Sequence, residues 1–355
     1  MGFMKIFFAS NVGANWMSGW QRVRALENLG YKINVFAYDK YDRKLNPVQK
    51  GFCKITQRPF ILDVLNAFNR EFIQAATDQK PDLAWIEKPL SLFPDTLKEC
   101  KRKLPECTFV CFQDDDPFGK RSSEGPLWKY FKQTLPLFDV HLVKKDVDLK
   151  EFRVRGARRV IKFRGGYFGQ IFRPYDYSSL LPQYKWPVSF VGTAIDRRIN
   201  IVNDLMGRHK TDLHIFGNSW NRHLVYYRHR KRFHPAVHSE DYAKTIAGSK
   251  ISLGFVSFSN RDEFSMRSFE IPACRGFFLG QRTKVHRELY KEGEEAEFFD
   301  DADECADKIR FYLAQDSARE KIASAGYERC KGSDYSLENS MRQALEQIIN
   351  QTGQR

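Results

Sequence analysis

The stretch GGYFGQIFRPYDYSSLLPQYKWP, Gly165 to Pro187, decides how the rest of the sequence is read. It is rich in glycine, proline and tyrosine and shows neither strand alternation nor helical spacing, so it reads as a linker. Before it, apolar runs at Lys5–Ala9, Lys32–Ala37, Leu83–Glu87, Thr108–Gln113 and Val140–Val143 are separated by helix-length stretches such as Ser18–Leu29, Leu62–Ala76 and Leu127–Leu137. After it the alternation resumes. Strands are expected at Val188–Gly192, Leu213–Phe216, Ile251–Phe255 and Phe277–Gly280, with helices near Arg197–Met206, Asp241–Gly248 and Met266–Cys274. Three further helices follow, at Ala302–Leu313, Ala318–Cys330 and Leu337–Ile349. Strand–helix alternation of this kind builds parallel sheets with helices on both faces. The expected organisation is a doubly wound lobe over 1–170, a linker over 171–187, a second lobe over 188–335 and a closing helix over 336–355. Ligands of such sheets bind outside the C-terminal ends of the strands, which puts the expected site in a cleft between the lobes.

The chain has 355 residues, 42% hydrophobic and 29% charged, within the range of globular proteins. No window approaches the roughly 20 apolar residues of a membrane-spanning helix, and MGFMKIFFASNVG is a short strand-like run rather than a signal peptide. The seven cysteines are scattered and form no CxxC pair, which points away from a disulfide framework or zinc site and toward a reducing cytoplasm. Of the formal charge of +14, residues 1–170 carry +11, with 30 Lys and Arg against 19 Asp and Glu. A field of that sign attracts nucleic acid, acidic glycans or anionic lipid surfaces. No strongly amphipathic basic helix stands out to favour the membrane.

The second half holds the most informative stretch, DEFSMRSFEIPACRGFFLG from Asp262 to Gly280. A polar loop leads into a short helix near Met266, and helix starts favour anions. Arg267 in the first turn is suited to a diphosphate, and Glu270 one turn on can accept two hydrogen bonds from vicinal ribose hydroxyls. An ordinary internal ion pair, Arg267 with Glu270 or Glu263, is the competing reading.

SMRSFEIPACRGFFLG and the following run to Cys330 resemble the C-terminal signature of the CgeB-type, spore maturation protein-like glycosyltransferases. The likeness covers Arg267-x-Phe269-Glu270, a Gly-Glu-Glu stretch, an acidic helix ending Tyr-Leu, and Arg319, Ile322, Ala323, Gly326 and Tyr335 in order. SFVGTAIDRRINIVNDL (Ser189–Leu205) and HIFGNSW (His214–Trp220) resemble the two strand-to-helix turns of that family's donor lobe. The resemblance implies a GT-B fold, two Rossmann-like domains facing a cleft, with the closing helix returning to the first. It implies a nucleoside-diphosphate sugar, a UDP-sugar foremost, as substrate, with no metal or other cofactor. Gly192, Thr193, Arg197, Arg198, Gly217, Arg267, Ser268 and Glu270 would bind the donor. Asp262 and Glu270 match an E-x7-E spacing of retaining enzymes, with Asp at the first position, which gives Asp262 a catalytic role.

In the first half, FASNVGANW (Phe8–Trp16) puts Gly13 and Asn15 in the loop after the first strand; the resemblance implies that such a loop borders the cleft and touches acceptor or donor, and a plain turn is the competing reading. FQDDDPFGKR (Phe112–Arg121) sets three carboxylates after a buried strand. They need a partner: sugar hydroxyls, an arginine, a metal, or simply solvent around a turn before Pro117. Asp114 and Asp116 are candidates for the base that takes the acceptor's proton. Asp114-x-Asp116 also fits the DxD pattern by which GT-A enzymes hold manganese, a reading ranked second. Glu87 ends the strand of LAWIEKP, where a charge is common. YYRHRKRFH (Tyr226–His234) interleaves cations and aromatics as phosphate-backbone contacts do. Two functions therefore compete, sugar transfer to an acceptor such as DNA or an acidic glycan, and nucleic-acid binding on a transferase-like scaffold.

Overall fold

The computed structural model describes residues 4–119 and 125–352. Lys120 and Arg121, which close the FQDDDPFGKR motif, lie outside the described residues. The first sheet contains β1 (Lys5–Ser10), β2 (Lys32–Ala37), β3 (Leu83–Glu87), β4 (Thr108–Gln113), β5 (Val140–Val143) and β6 (Val160–Lys162) in the order β2-β1-β3-β4-β5-β6. The second contains β7 (Trp186–Val191), β8 (Leu213–Phe216), β9 (Phe233–His234), β10 (Ser249–Gly254), β11 (Phe278–Gln281) and β12 (Glu297–Phe299) in the order β12-β11-β10-β7-β8-β9. Every pairing is parallel. Nine strands are those the alternation marks. β6, β9 and β12 are two or three residues long, too short to show a period.

The chain divides into two compact units, one made of residues up to Gly165 together with Glu338 onward, the other of Gly166–Leu337. The aperiodic run after Gly165 is packed rather than solvated. Phe168 and Phe172 are buried, and Tyr167 pairs with the segment before the closing helix through Tyr167 N to Tyr335 O and Leu337 N to Tyr167 O. The closing helix, Leu337–Thr352, buries Met341, Ala344, Leu345 and Ile348, one apolar stripe at helical spacing. The core of the first unit is dominated by aromatics, with Phe36, Phe68 and Phe72 meeting edge to face at 5.2 and 5.4 Å. All seven cysteines are buried and free, and among the described residues no helix is long and apolar enough to cross a membrane.

One helix absent from the sequence reading is Pro47–Thr56. Its start is strongly specified. The Asn46 side chain accepts from Gln49 N at 2.9 Å, the Gln49 side chain accepts from Asn46 N at 3.0 Å, and Pro47 takes the first helical position. Of its ten residues only Cys53 is buried.

Glu87 is more than a strand-end charge. Arg22, on the helix Ser18–Asn28, meets it as a fork, Nε to Oε1 at 2.5 Å and Nη2 to Oε2 at 2.7 Å. Ser10 Oγ and Trp85 Nε1 also donate to the carboxylate, at 2.6 and 3.1 Å. Both charged residues are buried, and four donors fill the carboxylate, which offsets the cost of taking the pair out of water. Replacing Arg22 by Met leaves the carboxylate buried without its counter-charge. We expect Arg22→Met to cost about 3–5 kcal/mol, read as a lower midpoint in urea unfolding.

Candidate functional site

β7 and β8 are parallel neighbours, and each ends in a turn carrying a glycine. The Gly192 N–H donates to Phe216 O at 2.8 Å, which extends the ladder past the strand ends. A Cβ on Gly217 would lie 2.1 Å from the Gly192 carbonyl oxygen, so the two turns touch backbone to backbone. Trp220 Nε1 donates to that same carbonyl at 2.9 Å. A Cβ on Gly192 would meet the Phe190 ring at 2.6 Å and a terminal nitrogen of Arg267 at 2.9 Å. Both residues must be glycine for the turns and the guanidinium to share this space.

Arg267 opens the seven-residue helix Arg267–Ala273. Its Nε donates to Val191 O at 2.5 Å and its guanidinium stands 5.5 Å from the centre of the Phe190 ring. Among the described residues no ion pair joins Arg267 to Glu270 or Glu263, so the internal-pair reading is not what the fold adopts. The helix is too short to add much dipole, and attraction for an anion rests on the guanidinium. Glu270 is half-buried and accepts from Tyr242 Oη at 2.8 Å. Burial pushes its carboxyl up from the ordinary value, while the Arg267 charge and the Tyr242 hydroxyl pull the other way. Tyr242 sits on the helix Ser239–Gly248, and burial beside Glu270 holds its own hydroxyl protonated.

The loops after β7 and β10 are laced by Asp196. Its Oδ2 accepts from Ser257 Oγ at 2.6 Å and from Ser259 N at 3.3 Å. Arg197 is exposed and lies over the Phe258 ring at 3.4 Å. Arg198 is buried, turns toward Phe190 and donates to the Thr193 carbonyl at 3.4 Å. Of the two arginines, Arg197 faces outward and Arg198 holds the turn. Asp262, in the loop after β10, accepts from Asn260 Nδ2 at 2.9 Å.

Two expectations for the donor side change with this geometry. The Gly192 N–H is spent on the ladder, which leaves Thr193, exposed at the same turn, as the backbone donor. Ser268 is fully buried, and its hydroxyl is directed at His286 Nε2 at 2.7 Å. The other ring nitrogen, Nδ1, faces the Gln281 carbonyl at 2.6 Å, so it carries the proton and Nε2 accepts from Ser268. Ser268 therefore braces the helix instead of touching a ligand. Sequence reasoning missed Tyr242, Trp220 and Phe190. Tyr242 carried a faint signal, a polar aromatic in an otherwise apolar helix position, but only the packing of two helices pairs it with Glu270.

In the first unit the three carboxylates part company. Lys88 pairs with Asp114 at 2.9 Å and Asp115 at 2.8 Å, so the partner the sequence demanded is a lysine. Although burial pushes Asp114 up, the Lys88 ammonium outweighs it and holds the carboxyl at about 2. That suits a fixed negative charge and not a general base, which works best near the ambient pH. Asp116 is buried, accepts from Phe118 N at 3.0 Å and groups with Asp148 and Glu151, beside Lys145. Asp114 takes no part in that group and pairs with Lys88 instead. Gly13 and Asn15 are exposed in the loop after β1, where the neighbouring Val12 N donates to Asp39 Oδ2 at 2.8 Å.

Residues 197–346 match the family model described as glycosyl transferase-like. HepE from Anabaena, solved with UDP-glucose, is similar over 98% of this chain and 100% of that one, with a TM-score of 0.69 at 14% identity. This chain has the GT-B fold. Sucrose-phosphate synthase from Thermosynechococcus elongatus aligns over 98% and 99% with a TM-score of 0.67 at 13% identity. A glycosyltransferase from Rickettsia africae aligns over 100% of both chains with a TM-score of 0.65 at 12% identity. No curated protein matches the sequence.

A raised carboxyl pKa has a testable sign. Below its ordinary value of 4.5, Glu270 is protonated in folded and unfolded chains alike. As pH rises past that value the unfolded chain ionises first and the native state loses stability, until the folded pKa is also passed. Glu270→Gln keeps an acceptor for Tyr242 without the charge. We expect the variant to melt higher than wild type at neutral pH, with the gap closing as the buffer approaches the ordinary carboxyl range.

Proposed function

We propose that the chain is a CgeB-type glycosyltransferase that moves a hexose or pentose from a nucleoside diphosphate, uridine diphosphate foremost, to an anionic acceptor. The observation that carries this reading is the presentation of Arg267 and Glu270 one helical turn apart, beside two turns stripped of side chains at Gly192 and Gly217. Arg267, with Arg197 nearby in sequence to Thr193, neutralises the diphosphate, and the Thr193 N–H adds a backbone contact. Glu270, oriented by Tyr242, accepts the two ribose hydroxyls. As the bond from the anomeric carbon to the diphosphate oxygen breaks, its electron pair stays on that oxygen, where the guanidinium stabilises it. The acceptor hydroxyl oxygen forms the new bond to the anomeric carbon, and its proton passes to the departing diphosphate oxygen. The role needs no metal, since the arginines supply the positive charge. Asp262 and Glu270 keep the spacing that accompanies retention, with Asp262 tied to Asn260. Seven free cysteines support a cytoplasmic enzyme.

Calorimetric titration with UDP tests the assignment. Arg267→Ala and Glu270→Ala should each weaken binding by about tenfold to a hundredfold, the value of one hydrogen bond to a charged group. Unchanged affinity in both would sink it. GDP, dTDP and CMP serve as comparison ligands in thermal shift, since a ligand that binds only the folded chain raises Tm.

A second reading, binding of nucleic acid, is favoured by one feature. A hollow of about 520 Å³ is lined by Lys210, Tyr227, Arg228, Arg230, Lys231 and Arg232. These residues precede β8 and β9, whereas Gly192 and Gly217 follow β7 and β8, so the hollow lies at the opposite end of the sheet from the donor turns. Affinity for a single-stranded oligonucleotide should then fall steeply with salt, and Arg228→Ala with Arg230→Ala should flatten the slope by about one to two. A salt-insensitive or absent interaction rejects this reading.

A further inference from the structure

The capped helix Pro47–Thr56 turns its apolar side outward. Val48, Phe52 and Ile55 follow each other at four- and three-residue spacing, so they form one stripe, and they are 81%, 49% and 84% exposed. Leu62, a few residues on, is 61% exposed. Cys53 is buried on another side of the same helix and anchors it to the unit. A soluble domain gains nothing by holding three large apolar side chains in water, and the capping box means the helix persists without burying them.

The charges around the stripe say what covers it. Arg43, Lys50, Lys54 and Arg58 are exposed along the same 16 residues, against exposed Asp42 and Asp63 at its margins. Lys44 is partly committed to Glu71, and the four named cations form no ion pair among the described residues. An apolar stripe on a helix whose polar side is lysine-bearing suits the boundary between headgroups and acyl chains, where the stripe enters the apolar layer and the cations meet anionic headgroups. Nucleic acid would use the cations and leave Val48 and Ile55 in water. A protein partner would have to cover lysines as well as the stripe.

We infer that Pro47–Thr56 is an interfacial anchor that docks the first unit onto an anionic lipid surface, with Val48, Phe52 and Ile55 inserted and Lys50 and Lys54 at the headgroups. This is independent of the donor site and of the reaction assigned to it. Docking of this kind would hold the enzyme at a surface on which a lipid-linked or otherwise anionic acceptor is displayed.

Flotation with vesicles tests it on the full chain. Wild type is expected to float with vesicles containing phosphatidylglycerol and to stay behind with pure phosphatidylcholine. Val48→Ser, Phe52→Ser and Ile55→Ser together should lower partitioning by at least about 100-fold, since each side chain removed from an apolar layer is worth roughly tenfold. Lys50→Gln with Lys54→Gln should lower it by roughly fivefold per charge. All substituted positions are at the surface, and an unchanged cooperative thermal melt without ligand checks that each variant is folded. Failure of wild type to bind the anionic vesicles, or equal binding by the triple serine variant, overturns the inference. So does a wild-type dimer in light scattering that the triple variant makes monomeric while vesicle binding is absent, for then the stripe is covered by a second copy.

Discussion

The backbone contact between Gly217 and Gly192 is the constraint on which the rest of the second unit depends. With a Cβ at Gly217 only 2.1 Å from a carbonyl oxygen, neither turn has any slack, and no side-chain movement could relieve it. Because the turns are fixed, the Val191 carbonyl and the Phe190 ring stand at a defined place, and Arg267 is held by both. The guanidinium is thus oriented through Nε, with one terminal nitrogen against Gly192. Precision of this kind needs rigid neighbours, and the helix carrying Arg267 has them. Tyr290 Oη donates to Ser268 O at 2.8 Å, the Ser268 hydroxyl is set by His286, and Phe269 packs edge to face with Tyr335 at 5.5 Å.

Three carboxylates show that environment, not residue type, sets the role. Glu87 has a guanidinium, an indole and a hydroxyl aimed at it and serves as a buried structural ion. Asp114 sits against Lys88 and is held ionised far below neutral pH. Glu270 is given a tyrosine hydroxyl and a more distant cation, too little to offset its burial, so its carboxyl is pushed up. A carboxylate kept at a cost to stability is what a ligand-binding group looks like before its ligand arrives.

The architecture was legible because its signal is periodic. β1 to β5 follow from apolar runs whose bounds the structure nearly reproduces, and the long helices from their stripes. The glycines at 192 and 217, and the arginine and glutamate one turn apart, were legible because strand-to-helix turns have few solutions. What escaped was tertiary pairing. Nothing in LAWIEKP says that Arg22, sixty-five residues earlier, will reach Glu87, although Arg22 does share a helix face with Leu26. Ser268 looked like a ligand contact because it neighbours Arg267, yet successive helix residues point about 100° apart, and one of them went inside. The Pro47–Thr56 helix escaped for a different reason, since outward-facing apolar residues are invisible to any reading that assigns them to a core.

The residues that carry the family resemblance also divide by task once they are placed in space. Arg319 is buried and donates to the Tyr312 carbonyl at 2.8 Å, closing the end of the helix Ala302–Ala314. Ile322 and Ala323 fill the core beside it, and Gly326 lets its helix press on the Glu295 carbonyl. Tyr335 donates to Leu289 O at 3.1 Å and stacks its edge on Tyr290. Each of these residues is committed to packing or to a backbone contact within the second unit. On the proposed function, a pattern spread over some seventy residues is one device, with two residues for the donor and the others packed behind them. The cost of displacing a charged group by an ångström is large, which gives the bracing residues as much reason to keep their identity as the two they serve.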